Sequence, residues 1–157
     1  MTPAPPPLEL IGLSKSFGSA RALRDVHLTV HRGEVHGLVG QNGSGKSTMV
    51  RHLDGLLRPT EGRVLHDGED IADEKVAVLA SRVGIVFQNP DRQIFAGKVR
   101  AEVAFGPKIL GRSASEAETS ARAALEAVGL TGSIDANPYD LGYSSRKLLT
   151  LASILAM

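Results

Sequence analysis

One stretch constrains this chain more than any other. Gly40-Gln41-Asn42-Gly43-Ser44-Gly45-Lys46-Ser47 satisfies the spacing G-x-x-x-x-G-K-[ST]. Recurring glycines let a loop fold tightly and turn several backbone N–H groups toward one anion. Ahead of it, Val35–Val39 is a nearly continuous apolar run, which predicts a short strand covered on both faces. Behind it, Met49, Val50, Leu53, Leu56 and Leu57 fall on one face of a 3.6-residue period, which predicts a helix that Pro59 stops. Strand, glycine loop and helix in that order are what phosphate binding needs. The free N–H groups and positive dipole end of the helix then point at the anion. In that setting Lys46 reaches the β- and γ-phosphates, and the Ser47 hydroxyl takes a coordination position on magnesium. A chance match is the alternative, and the flanking pattern speaks against it.

The rest of the chain supplies context. Residues 1–7 hold four prolines and no basic residue, and read as a disordered or extended lead without the regions of a signal peptide. Leu8–Leu13 is an apolar run. Val26, Leu28 and Val30 alternate with polar residues, the period of a half-buried strand. Arg63–His66 with a turn at Asp67-Gly68 predicts a hairpin arm, and Val83–Phe87 predicts another buried strand, broken by Gln88-Asn89-Pro90-Asp91. From about Val99 alanine becomes frequent. Ser113 and Glu116 have capping-box spacing; Ala117, Ala121, Ala124, Leu125 and Val128 share a helical face, and Gly129 ends it. A last helix begins near Ser145 and is still apolar at Met157, without a cap, which gives the expectation of a chain cut short.

Composition excludes several classes. The chain has 157 residues, 42% hydrophobic and 22% charged, so a disordered or collagen-like chain is out. Eighteen basic against 17 acidic residues leave a net charge of +1, which demands no nucleic acid as partner. The absence of cysteine removes disulfides, thiol nucleophiles and cysteine zinc sites. The five histidines, at 27, 31, 36, 52 and 66, show no metal-ligand spacing with carboxylates and read as structural or surface residues.

Phe17, Val35–Val39, Gly40–Thr48 and Val83–Gln88 together resemble the ATP-binding cassette (ABC) family of transporter ATPases. The resemblance covers nearly all of the chain after the proline lead. It implies an α/β P-loop NTPase fold with an antiparallel β arm and an inserted helical subdomain, the C-terminal part of the core missing. The segments would be 8–97 for the arm and P-loop core, 98–145 for the helical subdomain and 146–157 for the signature helix. It further implies ATP and Mg2+ as ligands, held by Gly40, Gln41, Asn42, Gly43, Ser44, Gly45, Lys46, Ser47 and Thr48. Phe17 stands where the family stacks an aromatic ring on adenine, although an isolated Phe beside a strand is also an ordinary core residue. Gln88 stands where the Q-loop glutamine contacts magnesium and the attacking water; otherwise it is a solvated loop residue. Gln88–Phe95 followed by Glu102–Pro107 is similar to the energy-coupling-factor and cobalt/nickel importer ATPases. A membrane-spanning subunit, a second cassette, a place on the cytoplasmic face of the membrane and uptake of a vitamin or transition-metal ion are what this implies.

Two departures stand against it. The family's Leu-Ser-Gly-Gly-Gln signature reads Leu141-Gly142-Tyr143-Ser144-Ser145 here, and a tyrosine where backbone meets phosphate is a steric obstacle. Ser144 and Ser145 remain as donors at the helix start. The family's apolar strand ending in Asp-Glu occurs nowhere in these residues. Loss of that general base would slow hydrolysis on the order of a hundred- to ten-thousand-fold. Without the strand, the phosphate-loop strand would keep an open apolar edge, so self-association is expected. The competing readings are a nucleotide-binding but non-hydrolysing partner cassette and a non-functional remnant. A small-molecule kinase would leave Gln88 and Glu102–Pro107 unexplained.

Overall fold

Leucines spaced along two extended runs start the fold. A computed structural model describes residues 4–157, so Met1, Thr2 and Pro3 of the proline lead lie outside the described residues. These residues divide into two compact units, one ending at Val83 and one from Gly84 to Met157.

In the first unit β1 (Leu8–Phe17) and β2 (Ala20–Val30) pair antiparallel. Gly18 and Ser19 connect them, with Gly18 at φ 59°, a conformation glycine adopts without steric cost. β3 (Glu61–His66) pairs with the other edge of β1, and the two-residue β4 (Glu69–Asp70) returns beside β3. The described strands form one sheet in the order β2-β1-β3-β4. Asp67 and Gly68 both take positive φ, 48° and 86°, the signature of a tight two-residue hairpin turn. α1 (Lys46–Leu53) follows the glycine loop, and α2 (Val76–Leu79) is one short turn. Leu10, Leu13, Leu23, Met49, Val64, Ile71 and Leu79 form the core between sheet and helices. Each such side chain, removed from water, contributes about 1.5–3 kcal/mol.

α1 ends earlier than its apolar spacing predicts. Asp54 Oδ1 accepts a hydrogen bond from the Leu56 N–H at 3.0 Å, and Gly55 turns at φ 74°. This local turn competes with another helical turn and leaves Leu56 exposed.

The second unit is helical. α3 (Val99–Ile109), α4 (Ala114–Ala127) and α5 (Tyr143–Leu155) pack on one another. Val99, Val103, Leu125 and Leu149 are completely buried, and Ala104, Ala117, Ala121 and Ala152 fill the spaces between them. The small side chains let helix axes approach closely. The Ser113 capping box forms as the spacing predicts. The Glu116 N–H donates to Ser113 Oγ, and the Ser113 N–H donates to Glu116 Oε2 at 2.9 Å. That carboxylate, bonded first to the Ser113 hydroxyl and then to its N–H, is held below the ordinary Glu range.

Two predicted strands are corrected. Val35–Val39 is neither a strand nor buried: it has no regular structure, and Val35 and Val39 are 98% and 92% exposed. Val83–Phe87 likewise forms no strand, with Val86 and Phe87 exposed. Both runs have the composition of buried strands. A strand exists only in a ladder, however, and no described segment pairs with either. Apolar content cannot supply that partner. The last helix starts at Tyr143, two residues before the predicted Ser145.

Candidate functional site

The glycine loop runs directly into α1. Gly43 and Gly45 take φ 85° and 89°, which side-chain-bearing residues rarely adopt. Gly45 is also the helix N-cap, and it is pressed against β2: a Cβ there would sit 2.7 Å from the Ala22 carbonyl oxygen. Backbone on one side and left-handed φ on the other explain why this position is glycine. The Ser44 N–H donates back to the Gln41 carbonyl at 3.2 Å, closing the loop, and the Met49 N–H donates to the Gly45 carbonyl at 2.8 Å, opening the helix. No side chain caps α1. The first N–H groups of a helix have no partner within it, so those of its opening turn are free for an anion.

Lys46 folds over this loop. Its Nζ donates to the Gly40 and Gln41 carbonyls at 2.7 and 2.6 Å and lies 3.4 Å from Ser44 Oγ. The ammonium thus rests on the loop's own carbonyl oxygens. Gln41, Asn42, Gly43, Ser44 and Ser47 are exposed, while Gly45 and Thr48 are half-buried. The Ser47 hydroxyl stands in the first turn of α1, a hard oxygen donor beside the place where phosphate oxygens would lie. That donor chemistry fits Mg2+, which takes one or two protein oxygens and completes its shell with phosphate and water.

Phe17 ends β1, 51% exposed, with Lys15 Nζ 5.3 Å from its ring centroid. It pairs across the hairpin with Ala20. Ala20 is two residues from Ala22, whose carbonyl backs Gly45, or about 7 Å along the strand at the usual rise. One hairpin end therefore carries an open aromatic face and braces the glycine loop.

Two histidines of this unit are core residues. His52 is completely buried and its Nδ1 bonds the Thr48 carbonyl at 2.7 Å; His66 Nε2 bonds the Leu53 carbonyl at 2.8 Å. Burial pushes the His52 pKa below its usual value, against the opposing effect of the Thr48 bond. His27, His31 and His36 are not buried. Among the described residues no group of three or more His, Cys, Asp or Glu is placed to hold a metal ion.

Gln88 belongs to the second unit. It is exposed, and its carbonyl accepts a hydrogen bond from the Tyr143 hydroxyl at 3.3 Å. Sequence reasoning missed this Tyr143 bond, since nothing in linear spacing joins residues 55 apart. It also missed the role of Glu102. That buried carboxylate accepts from the Phe95 and Ala96 N–H groups at 3.0 and 2.7 Å and holds the loop leading into α3. The available signal was an acidic residue in the first turn of a helix. In the signature segment, Gly142 is the N-cap of α5 and Tyr143 its first residue, 53% exposed.

A family model described as ABC transporter matches residues 23–157. The chain belongs to the ABC transporter family. Among curated ABC proteins it is 45% identical over 140 residues to the energy-coupling factor transporter ATP-binding protein EcfA2 of Symbiobacterium thermophilum, a match covering 87% of this chain and 49% of that protein. It is 42% identical over 153 residues to EcfA of Methanothermobacter thermautotrophicus, covering 96% and 49%. The chain thus spans about half the length of the curated relatives it matches. Its fold is that of part of an ABC cassette. The solved structure of cbiO1 from Clostridium perfringens, described as part of the ABC transporter complex cbiONQ, superposes with a TM-score of 0.88 at 30% identity, covering 97% of this chain and 62% of that one. No helix among the described residues is long and apolar enough to cross a membrane.

Proposed function

We propose that this ABC chain binds ATP with Mg2+ as part of the ATP-binding subunit of an importer, coupling ATP binding and hydrolysis to uptake of a vitamin or a transition-metal ion. The observation that carries the reading is the glycine loop. It is braced by β2 and closed on itself, it opens a helix without a side-chain cap, and it is spanned by the Lys46 ammonium. On this reading the loop N–H groups and Lys46 hold the β- and γ-phosphates. Lys46 exchanges its loop carbonyls for phosphate oxygens, which carry more charge and bond it more strongly. Phe17 offers its face to the adenine ring. The Ser47 hydroxyl would hold Mg2+, which when bound neutralises charge on the phosphates. The relatives' names support energy coupling as the setting. On the same reading its partners are a membrane-spanning subunit and a second cassette, and it lies peripherally on the cytoplasmic face of the membrane.

Titration of the chain with a fluorescent ATP analogue tests the reading. Saturable binding, competed by ATP and weakened about tenfold or more in Lys46→Ala, is the expected result; no binding at millimolar ATP overturns it.

One observation favours a second reading. Tyr143 places a large side chain at the signature position where backbone would meet the partner cassette's phosphate. A cassette that binds nucleotide without supporting hydrolysis would then result. ATP binding with no phosphate release, alone or mixed with an intact cassette, selects it over the first.

A further inference from the structure

The glycine loop carries a reactive pair whose chemistry is separate from phosphate binding. Asn42 is followed directly by Gly43, and both are exposed. A side-chain amide can close a five-membered ring with the backbone nitrogen of the next residue, and a glycine there has no Cβ to block the attack. Among the described residues nothing lies within 4 Å of the place a Gly43 Cβ would take. None of them accepts the Gly43 N–H or bonds the Asn42 amide.

The turn that holds the pair is lightly fastened. The Ser44 N–H reaches the Gln41 carbonyl at 3.2 Å, so Asn42 and Gly43 are the two central residues. Of these only Gly43 has positive φ, 85°, the pattern of a type II turn. Attack needs the 42–43 peptide to rotate out of that turn. The backbone bond resisting the rotation is long, and its acceptor is shared, since Lys46 Nζ takes the same carbonyl at 2.6 Å. An exposed turn held by so little opens at low cost.

The chain's other two asparagines supply the contrast. Asn89 and Asn137 each precede a proline, whose nitrogen carries no hydrogen and cannot close the ring. Both side chains are also engaged, Asn89 Oδ1 by the Asp91 N–H and Asn137 Oδ1 by the Tyr139 N–H, at 3.0 Å each.

We propose that Asn42 is a site of spontaneous deamidation, and that its conversion puts a negative charge into the glycine loop. The Gly43 nitrogen attacks Asn42 Cγ. The new N–Cγ bond replaces Cγ–Nδ2. The Gly43 N–H proton passes to solvent, and a solvent proton joins the departing nitrogen, which leaves as ammonia. Water then opens the cyclic imide. Cleavage at Cγ gives aspartate; cleavage at the main-chain carbonyl gives isoaspartate, with the backbone rerouted through Cγ. Either product adds a carboxylate where the nucleotide reading above places phosphates, so the loop repels its ligand. The modification site stands without that reading. Its effect on ATP rests on it, as does the protection a bound phosphate gives by occupying the Gly43 N–H.

The full chain is incubated in mildly alkaline buffer, with and without MgATP, and digested with trypsin. Cleavage after Arg32 and Lys46 isolates Asn42 as the single asparagine of its peptide. Mass spectrometry should show amide-to-acid conversion at Asn42, in aspartyl and isoaspartyl forms, and none at Asn89 or Asn137. Saturating MgATP should slow it. Affinity for a fluorescent ATP analogue should fall in step with conversion. Asn42→Asp in fresh protein should lower that affinity about fivefold or more, the repulsion of two unit charges about 4 Å apart in water. Asn42→Gln, which cannot close the five-membered ring, should keep its starting affinity through the same incubation. No conversion at Asn42 while a free peptide of residues 38–47 converts, or equal conversion at Asn89 and Asn137, overturns the modification site. Conversion with unchanged affinity, or at an unchanged rate under saturating MgATP, overturns its effect on the loop. A fresh chain that does not bind the analogue overturns the nucleotide reading and that effect, while conversion at Asn42 is still read by mass.

Discussion

Lys46 in this structure spends its charge on carbonyl oxygens of its own loop. Carbonyls are weaker partners than phosphate, so the lysine is poised to exchange them. Charge-assisted hydrogen bonds contribute about 1.5–3 kcal/mol each, and Lys46→Ala should weaken ATP binding by about tenfold or more, read by titration of the fluorescent analogue. His52 makes a different prediction. Burial, and next the charge of Lys15, hold its pKa below the usual imidazole value, while bonds to the Thr48 and Arg58 backbone and the charge of Asp54 oppose them. The unfolded chain therefore takes up a proton at a higher pH than the folded one. Stability is full above about pH 6.5, the ordinary histidine value. It falls as pH drops through that value toward the lower folded pKa, then levels with respect to this residue. Urea unfolding between pH 5 and 8, ordinary experimental limits around that titration, should show this slope, and His52→Gln should flatten it.

The helices of the second unit depend on two separate contributions, a cap and a core. Ser113 satisfies a backbone donor at the start of α4 and positions Glu116 in return. Ser113→Ala should cost about 1 kcal/mol, seen as a lower urea midpoint with unchanged m-value. Leu149 is completely buried between α5 and its neighbours, among alanines that cannot expand to fill a void. Leu149→Ala should cost about 2–5 kcal/mol, enough to loosen this unit in the same experiment. Capping and apolar spacing of α4 are legible from residues 113–129 alone, because every group involved lies within a turn or two. The start of α5 was read two residues late. Its N-cap, Gly142, has no side chain to announce it, and Arg146 secures the turn from within through the Leu141 carbonyl.

Across the molecule, Val35, Leu38, Val39, Val86 and Phe87 all stand exposed in segments without strand partners. Extended apolar backbone with unpaired N–H and C=O groups is a template for another chain. The chain should therefore associate with itself in proportion to its concentration, measured by light scattering. Val35→Lys combined with Val39→Lys should reduce that association without changing helix content by circular dichroism. A scattering signal independent of concentration and of both substitutions would show that these residues do not mediate contact.

What linear order settled here is local chemistry: the glycine loop opening α1, the Asp67-Gly68 turn, the Ser113 cap and the alanine face of α4. Each depends on φ preferences, short hydrogen bonds or a 3.6-residue period, all carried by neighbouring residues. Whether Val35–Val39 and Val83–Phe87 become strands depends on a ladder partner, which no local preference can provide. The union of Phe17's hairpin with the phosphate loop, the bond from Tyr143 to Gln88 and the burial of His52 also lay beyond reading. They arise from contacts between distant residues, and those distances exist only once the chain has folded.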